Sequence, residues 1–147
     1  MTNTIEDITH DSDVILLCGS NPEVAHPVIG MQVRQAVARG AKLIVVDPRE
    51  IDLAKKADIH LKLKPGTNVA FANGMMHIFI EDGLNDKEFI ANRTEGFEEL
   101  AAIVKDYTPE KVAEICHIDP DDLRKAAHLY AEADRAPIMY CLGVTEH

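Results

Sequence analysis

The stretch that decides the fold is Val14-Ile-Leu-Leu-Cys18, followed directly by Gly19-Ser20-Asn21-Pro22. A continuous apolar run of this length is typical of a strand that is buried on both faces, as in a parallel sheet. The Gly-Ser-Asn-Pro run consists of turn-forming residues. The sequence therefore predicts a buried β-strand that ends in a tight connection to a helix.

Similar apolar runs recur along the chain and alternate with helical patterns. Further strands are predicted at 43–46, 59–63 and 138–142, and helices at 27–39, 51–56, 68–82, 86–92, 96–105, 109–116 and 120–133. Pro27 suits a first helical turn, and Gly40 suits a helix end. Strands that alternate with helices favour a parallel α/β sheet.

The order of these elements predicts a topology and a place for a ligand. Right-handed crossovers put strand 2 beside strand 1 and strand 3 beside strand 2, which gives the sheet order 3-2-1-4. The expected fold is α/β: a Rossmann-like three-layer αβα arrangement with a mainly parallel sheet and a helical insertion, about 84–134, before the last strand. We expect one domain over residues 1–147. Ligands of such sheets bind outside the carboxyl ends of the strands, near the switch point between strands 1 and 4.

Composition excludes several classes of protein. With 46% hydrophobic and 27% charged residues among 147, the chain reads as a soluble globular protein. No apolar run approaches the roughly 20 residues of a membrane helix, and the N-terminus lacks the apolar segment of a secretory signal. The odd count of 3 cysteines argues against a disulfide framework and favours the cytoplasm. A net charge of -10 predicts no nucleic-acid partner.

The charge is unevenly distributed. Residues 31–66 carry 8 basic and 4 acidic side chains, whereas residues 67–147 carry 7 basic and 16 acidic ones. If an anionic ligand binds, the 31–66 segment is electrostatically the most favourable place for it. The same pattern is also expected of lysines and arginines that only solvate a surface.

The first candidate site follows strand 1. A nucleotide phosphate would approach a helix N-terminus there; Gly19 lets a backbone come close, and Asn21 offers a short amide for hydrogen bonding. The full G-x-G-x-x-G pattern is absent, which argues against an ordinary NAD domain. A plain β-to-α turn explains the same residues equally well.

The second candidate site is Asp47-Pro48-Arg49, at the end of strand 2. A carboxylate at this position holds ribose hydroxyls in such folds, and a guanidinium beside it can pair with a phosphate or stack on a base. The alternative is that Asp47 caps a helix that starts near Pro48.

The third candidate site is Gly66-Thr67-Asn68, after strand 3. Gly66 can adopt an unusual φ, and the amide of Asn68 can read a purine edge. A glycine turn followed by a Thr67 or Asn68 helix cap is the stronger local explanation.

The sequence predicts no catalytic residue and no metal ligand. None of the histidines and cysteines have the spacing of a zinc site, and no nucleophile elbow is visible.

Several of these segments together carry a family resemblance. They are C-G-S-N-P-x-x-x-H-P at Cys18–Pro27, V-D-P-R at Val46–Arg49, K-P-G-T-N-x-A at Lys64–Ala70, N-R-T-E-G-F-E-E-L at Asn92–Leu100 and G-V-T-E-H at Gly143–His147. The set resembles the molybdopterin oxidoreductase (DMSO-reductase) family over essentially the whole chain. Within that family it is most similar to the catalytic alpha subunits of formate dehydrogenases.

The resemblance implies a cofactor and partners. It implies that the chain is an internal domain of a longer subunit that oxidises formate to CO2 and passes electrons to an iron–sulfur chain. It also implies a bis-molybdopterin guanine dinucleotide (bis-MGD) cofactor with molybdenum or tungsten, and a [4Fe-4S] cluster outside this chain. The partners would be the remaining domains of the subunit and iron–sulfur electron-transfer subunits. The isolated chain is expected to be inactive.

The resemblance also assigns site residues. It implies cofactor-binding residues after each of three strands, for the guanosine diphosphate end of one dinucleotide: Gly19, Ser20, Asn21, Pro22 and His26 at the phosphates and ribose; Asp47, Pro48 and Arg49 at the ribose and base; Gly66, Thr67 and Asn68 near the guanine. Thr145-Glu146-His147 resembles the start of a further cofactor-contacting loop. The same domain of a nitrate reductase, a stand-alone nucleotide-binding module and a structural domain without a ligand stay open as alternatives.

Overall fold

The structure is a computed structural model that describes residues 3–146. The described chain forms two compact units. The first unit comprises residues 3–63 and 133–146, and the second comprises residues 64–132.

The first unit contains the sheet. Its strands are β1 (Val14–Cys18), β2 (Lys42–Val46), β3 (Ile59–Leu61) and β4 (Ile138–Tyr140). All are parallel, in the order β3-β2-β1-β4, so the predicted topology is confirmed. The last two strands are shorter than predicted. β3 pairs Leu61 with the last residue of β2, and β4 pairs Tyr140 with the last residue of β1, so residues beyond them lack a ladder partner.

Nine α-helices are seen in residues 3–146. They are α1 (Ile5–His10), α2 (Pro22–Ala25), α3 (Pro27–Ala38), α4 (Asn68–Glu81), α5 (Lys87–Arg93), α6 (Phe97–Val104), α7 (Pro109–Cys116), α8 (Pro120–Ala131) and α9 (Leu142–Thr145). The helical insertion predicted before the last strand is confirmed, as α5 to α8 precede β4. None of these helices is long and apolar enough to cross a membrane.

Three helices and one turn differ from the sequence prediction. The sequence reading missed α1, α2 and α9. A capping box between Thr4 and Asp7 starts α1, and this local pattern could have revealed it. The helix predicted over 51–56 is only a 3₁₀ turn at Ala54–Lys56. Ile51, Leu53 and Ala54 of this segment are buried in the core.

The core of the first unit lies between the sheet and α3. Every residue of β1 is buried, as expected of a strand covered on both faces. Alternate residues of β1 and β2 pack against α3 and the segment after β2: Ile15, Leu17, Val33, Ala36, Leu43, Val45, Ile51, Leu53 and Ala54. This packing holds the carboxyl ends of β1 and β2 side by side.

The second unit is built around α4. This helix packs against α6, α7 and α8. A Cβ on Gly74 would lie 2.9 Å from a methyl group of Val112 and 3.3 Å from Leu123, so glycine is needed for the close approach. The predicted proline starts of α7 and α8 are confirmed, and Thr108 and Asp119 cap them.

Candidate functional site

The ends of β1 and β2 form one continuous edge. The backbone N–H of Gly19 donates to the carbonyl of Val46 at 2.8 Å. The loop that begins at Gly19 and the turn that begins at Asp47 are therefore neighbours. The structure brings together two of the three segments that the sequence singled out.

Gly19 is tightly packed against the chain itself. Its φ is +54°, and a Cβ built there would lie 2.7 Å from the carbonyl carbon of Gly143. The N–H of Gly143 donates to the carbonyl of Gly19 at 3.2 Å. The close backbone approach expected at Gly19 is thus made by the segment that follows β4.

A cleft of about 580 Å³ opens beside this edge, within the size range of ligand pockets. Ser20, Pro22 and His26 line it, all three of them predicted site residues. The rest of the lining is largely apolar and comes from α1, α3, β4 and the residue after β4: Ile5, Ile8, Ile29, Ile138, Met139, Tyr140 and Cys141. The wall formed by Ser20, Pro22 and His26 follows β1 and lies beside the switch point between β1 and β4, where the sheet order predicts a ligand.

Asn21 carries an unsatisfied polar atom. It occupies the N-cap position of α2, but its side chain makes no capping hydrogen bond. Its Oδ1 is buried, and no donor within residues 3–146 reaches it. A buried acceptor without a donor costs free energy, which suits a group that a ligand hydroxyl satisfies.

Asp47 is buried and closes a turn onto Arg49. The Asp47 side chain is 3% exposed. Its Oδ1 accepts from the backbone N of Arg49 at 2.8 Å and from Nε at 3.2 Å, and its Oδ2 accepts from Nη2 at 3.4 Å. No helix begins at Pro48, so the prediction that Asp47 caps one is wrong: the carboxylate satisfies the N–H two residues on.

Arg49 is the exposed member of this pair. Its side chain is 68% exposed although the guanidinium is tied to Asp47. The hydrogen bond to Asp47, and then the charge of that carboxylate, raise the pKa of Arg49. A fixed, accessible guanidinium can pair with a phosphate or stack on a base.

Cys18 lies at the end of β1. Burial, and next the negative charge of Asp47, raise the pKa of its thiol to about 11. The thiol is therefore protonated at neutral pH and unsuited to nucleophilic or metal-binding roles.

Sequence reasoning missed His60. Its Nε2 lies 2.9 Å from the carbonyl oxygen of Asp47. His60 lies on β3 and pairs with Val45 of β2. Nothing in the local sequence reveals this contact, because it depends on the register between two strands.

The third predicted segment belongs to the second unit. Gly66 adopts the unusual φ that was expected, at +84°. Thr67 occupies the predicted N-cap position of α4, but its hydroxyl donates to the carbonyl of Lys64 at 2.7 Å and makes no capping hydrogen bond to the helix. Asn68 is the first residue of α4. A cofactor role for these three residues stays a prediction.

The predicted C-terminal loop is only partly described. Thr145 ends α9 and Glu146 is exposed, while His147 lies outside the described residues. Within residues 3–146 there is no group of three histidine, cysteine or carboxylate side chains that could hold a metal ion.

The family assignment rests on the full length of the chain. The family model described as molybdopterin oxidoreductase matches residues 1–147. The chain belongs to the molybdopterin oxidoreductase family. This confirms the resemblance seen in the sequence motifs.

Two curated relatives, both formate dehydrogenase proteins, are similar to this chain over almost its whole length. The chain is 50% identical to the F420-dependent formate dehydrogenase subunit alpha of Methanocaldococcus jannaschii over 99% of this chain and 22% of the relative. It is 45% identical to formate dehydrogenase H of Escherichia coli over 99% of this chain and 20% of the relative. It thus spans about a fifth of the length of these curated relatives.

A solved structure from the same family confirms the fold. Acetylene hydratase from Pelobacter acetylenicus superimposes with a TM-score of 0.81 at 36% identity, over 95% of this chain and 20% of that one. The parallel sheet and its helical insertion therefore belong to the family's architecture.

Proposed function

We propose that this chain binds the guanosine diphosphate end of a bis-MGD cofactor, as one part of a formate-oxidising enzyme. The observation that carries the proposal is Arg49. It is a cation that the buried Asp47 holds in place, exposed at the strand ends beside the Gly19 loop. Support for formate comes from the two relatives described above, which are a formate dehydrogenase subunit and a formate dehydrogenase.

A diphosphate matches the chemistry of this edge. The guanidinium of Arg49 offers N–H donors in a fixed geometry that suits phosphate oxygens. Because Asp47 already fixes the side chain, binding a ligand costs less conformational entropy than ordering a free arginine. The excess of basic residues over 31–66 favours an anion electrostatically.

A ribose matches the unsatisfied atom of Asn21. Oδ1 needs a donor, and each ribose hydroxyl can donate one hydrogen bond. Because Oδ1 is buried in the free protein, the side chain has to rotate before it can meet such a hydroxyl. Ser20 and His26, which line the adjacent cleft, supply further polar groups for the phosphates.

In such an enzyme, the cofactor and this chain would have different roles. The bound cofactor supplies the metal centre for the two-electron oxidation of formate, whether that metal is molybdenum or tungsten. This chain contributes binding and orientation: Arg49 holds anionic oxygens, Asn21 holds a hydroxyl, and the apolar wall of the cleft excludes water. Electron transfer to iron–sulfur groups belongs to parts of the enzyme outside this chain.

Calorimetry with the chain tests the binding proposal. We expect GDP to bind more tightly than NAD, and Arg49→Ala to weaken GDP about 10-fold or more, as loss of a charged hydrogen bond does. Arg124→Ala is the control, because Arg124 pairs with Glu110 on the surface of the second unit. A preference for NAD, or unchanged GDP affinity in Arg49→Ala, would contradict the proposal.

The substrate is tested on a longer protein that includes this chain and its cofactor. Formate-dependent reduction of a viologen dye is expected. Nitrate-dependent oxidation of the reduced dye, without formate activity, would favour a nitrate reductase of the same family instead.

A further inference from the structure

The carbonyl of Asp47 is held from a neighbouring strand. β2 and β3 stay in register up to the pair Val46 and Leu61. Beyond that pair the Asp47 carbonyl has left the ladder, and the imidazole of His60 meets it at 2.9 Å. The His60 side chain on β3 thus continues the hydrogen bonding between β2 and β3 one residue beyond their last paired residues.

The chemistry of the acceptor fixes the proton on His60. A carbonyl oxygen can only accept, so Nε2 must carry the hydrogen, whether the ring is neutral or charged. The strand on the other side of β2, which is β1, also provides a donor. Gly19, directly after β1, donates its N–H to the Val46 carbonyl at 2.8 Å. The end of β2 is therefore clamped by donors from both adjacent strands.

The carbonyl that His60 contacts belongs to Asp47, and the side chain of Asp47 closes the turn to Arg49. Asp47 Oδ1 accepts from the backbone N and from Nε of Arg49, so the direction of the guanidinium follows from the position of Asp47. We propose that His60 is a positioning residue that sets the Asp47–Arg49 turn and, through it, the orientation of the exposed guanidinium. The consequence for ligand affinity rests on the proposed function.

A pair of variants separates the donor from the bulk of the ring. His60→Gln keeps a donor at a similar reach, and His60→Leu removes it while keeping an apolar side chain of moderate size. In nuclear magnetic resonance spectra, we expect His60→Leu to shift the Arg49 backbone N–H and Nε–H signals and to speed exchange of Nε–H with water about 5-fold or more. His60→Gln should keep the native signals. We expect GDP to bind about 3- to 10-fold more weakly to His60→Leu and within about 2-fold of the native affinity to His60→Gln.

The control is a second histidine that bonds to a carbonyl. His77 Nδ1 lies 3.1 Å from the carbonyl of Val104 in the second unit. His77→Leu should lower stability without moving the Arg49 signals. Unchanged Arg49 signals in His60→Leu would overturn the inference, and so would a His60→Gln protein as disturbed as His60→Leu. If the native chain failed to bind GDP, the proposed function would fall, while the Arg49 signals would still decide the role of His60.

Discussion

At the residue scale, Asp47 and Arg49 show how two adjacent charges take different roles. The Asp47 side chain is 3% exposed, and both of its carboxylate oxygens accept hydrogen bonds from Arg49. The Arg49 side chain is 68% exposed. The sequence placed both at a strand end but could not tell which of them faces solvent. Exposure depends on the packing of the surrounding core, so only the folded structure distinguishes the buried carboxylate from the exposed guanidinium.

Asn21→Ala tests whether an unsatisfied atom serves a ligand. Because Oδ1 has no donor in the free protein, its removal should leave the free energy of unfolding within about 0.5 kcal/mol of the native value or raise it. The affinity for GDP should fall about 3- to 10-fold. Urea unfolding and calorimetry measure the two quantities.

The matched control is Gln32→Met. Oε1 of Gln32 is also buried without a partner among the described residues, but it lies on α3 rather than on the loop. This change should be similarly mild for stability and leave GDP affinity intact. A large loss of stability in Asn21→Ala would show that its amide supports the fold.

Gly19→Ala tests the backbone contact with Gly143. The new Cβ would meet main-chain atoms that no side-chain rotation can move, and the residue would also have to keep a φ of +54°. We expect a loss of about 2–4 kcal/mol, from overpacking together with the left-handed conformation. Urea unfolding gives the value.

Gly83→Ala is the control for conformation alone. Gly83 has a φ of +68°, and nothing lies within 4 Å of a Cβ built there. It should lose only about 1–2 kcal/mol. Equal losses at the two positions would mean that the Gly143 contact is easily relieved.

At the scale of elements, local patterns set the helices and distant partners set the strands. Pro109 and Pro120 start α7 and α8 where the sequence indicated, since a cap and a first-turn proline act within one turn. β3 and β4 end early because their neighbours end. The residues that set these strand ends lie on other strands, beyond the reach of local sequence patterns.

A histidine clamp between α4 and α8 is expected to make the stability of the second unit depend on pH. His128 Nδ1 lies 3.0 Å from Glu132, and Nε2 lies 2.9 Å from Asp82 at the end of α4. The hydrogen bonds to Glu132 and then to Asp82 raise the pKa of His128. The charged form is thus favoured in the folded state, so the stabilisation is complete below the ordinary histidine pKa and is lost as pH rises through the raised value.

The expected result is a thermal midpoint that falls as the pH rises from about 6 through the ordinary histidine pKa and above it. His128→Gln should flatten this fall. Lys125→Gln is the control, because it removes a cation from the same helix that does not titrate in this range. If Lys125→Gln flattened the profile as much as His128→Gln, the clamp would not be its source.

At the scale of the whole molecule, the net charge and an exposed apolar edge strand have opposite effects on self-association. β4 lies at one end of the sheet, and its Ile138 and Tyr140 are 51% and 61% exposed. Edge strands with apolar residues tend to pair with other chains, while a net charge of -10 resists association. We expect a monomer at low ionic strength and self-association at about 0.5 M salt, where repulsion is screened.

Sedimentation velocity at the two salt concentrations measures this association. Ile138→Lys should keep the chain monomeric in both. Val24→Lys adds the same charge at an exposed residue that is not in a strand, and it should leave the association in place. Equal suppression by both variants would assign the effect to charge rather than to the β4 edge.

The sequence by itself determined the parallel sheet, its order and the helical insertion, because apolar periodicity, proline and glycine positions and right-handed crossovers leave few arrangements. It also located Gly19–Pro22 and Asp47–Arg49, since strand ends are read from where apolar runs stop. Only the tertiary structure decided that Gly143 packs on Gly19, that Asn21 Oδ1 lacks a donor and that His60 holds Asp47. The two contacts join residues far apart in the chain, and strand register and packing fix them rather than local preference. The unsatisfied oxygen of Asn21 likewise depends on which donors the packing brings near it.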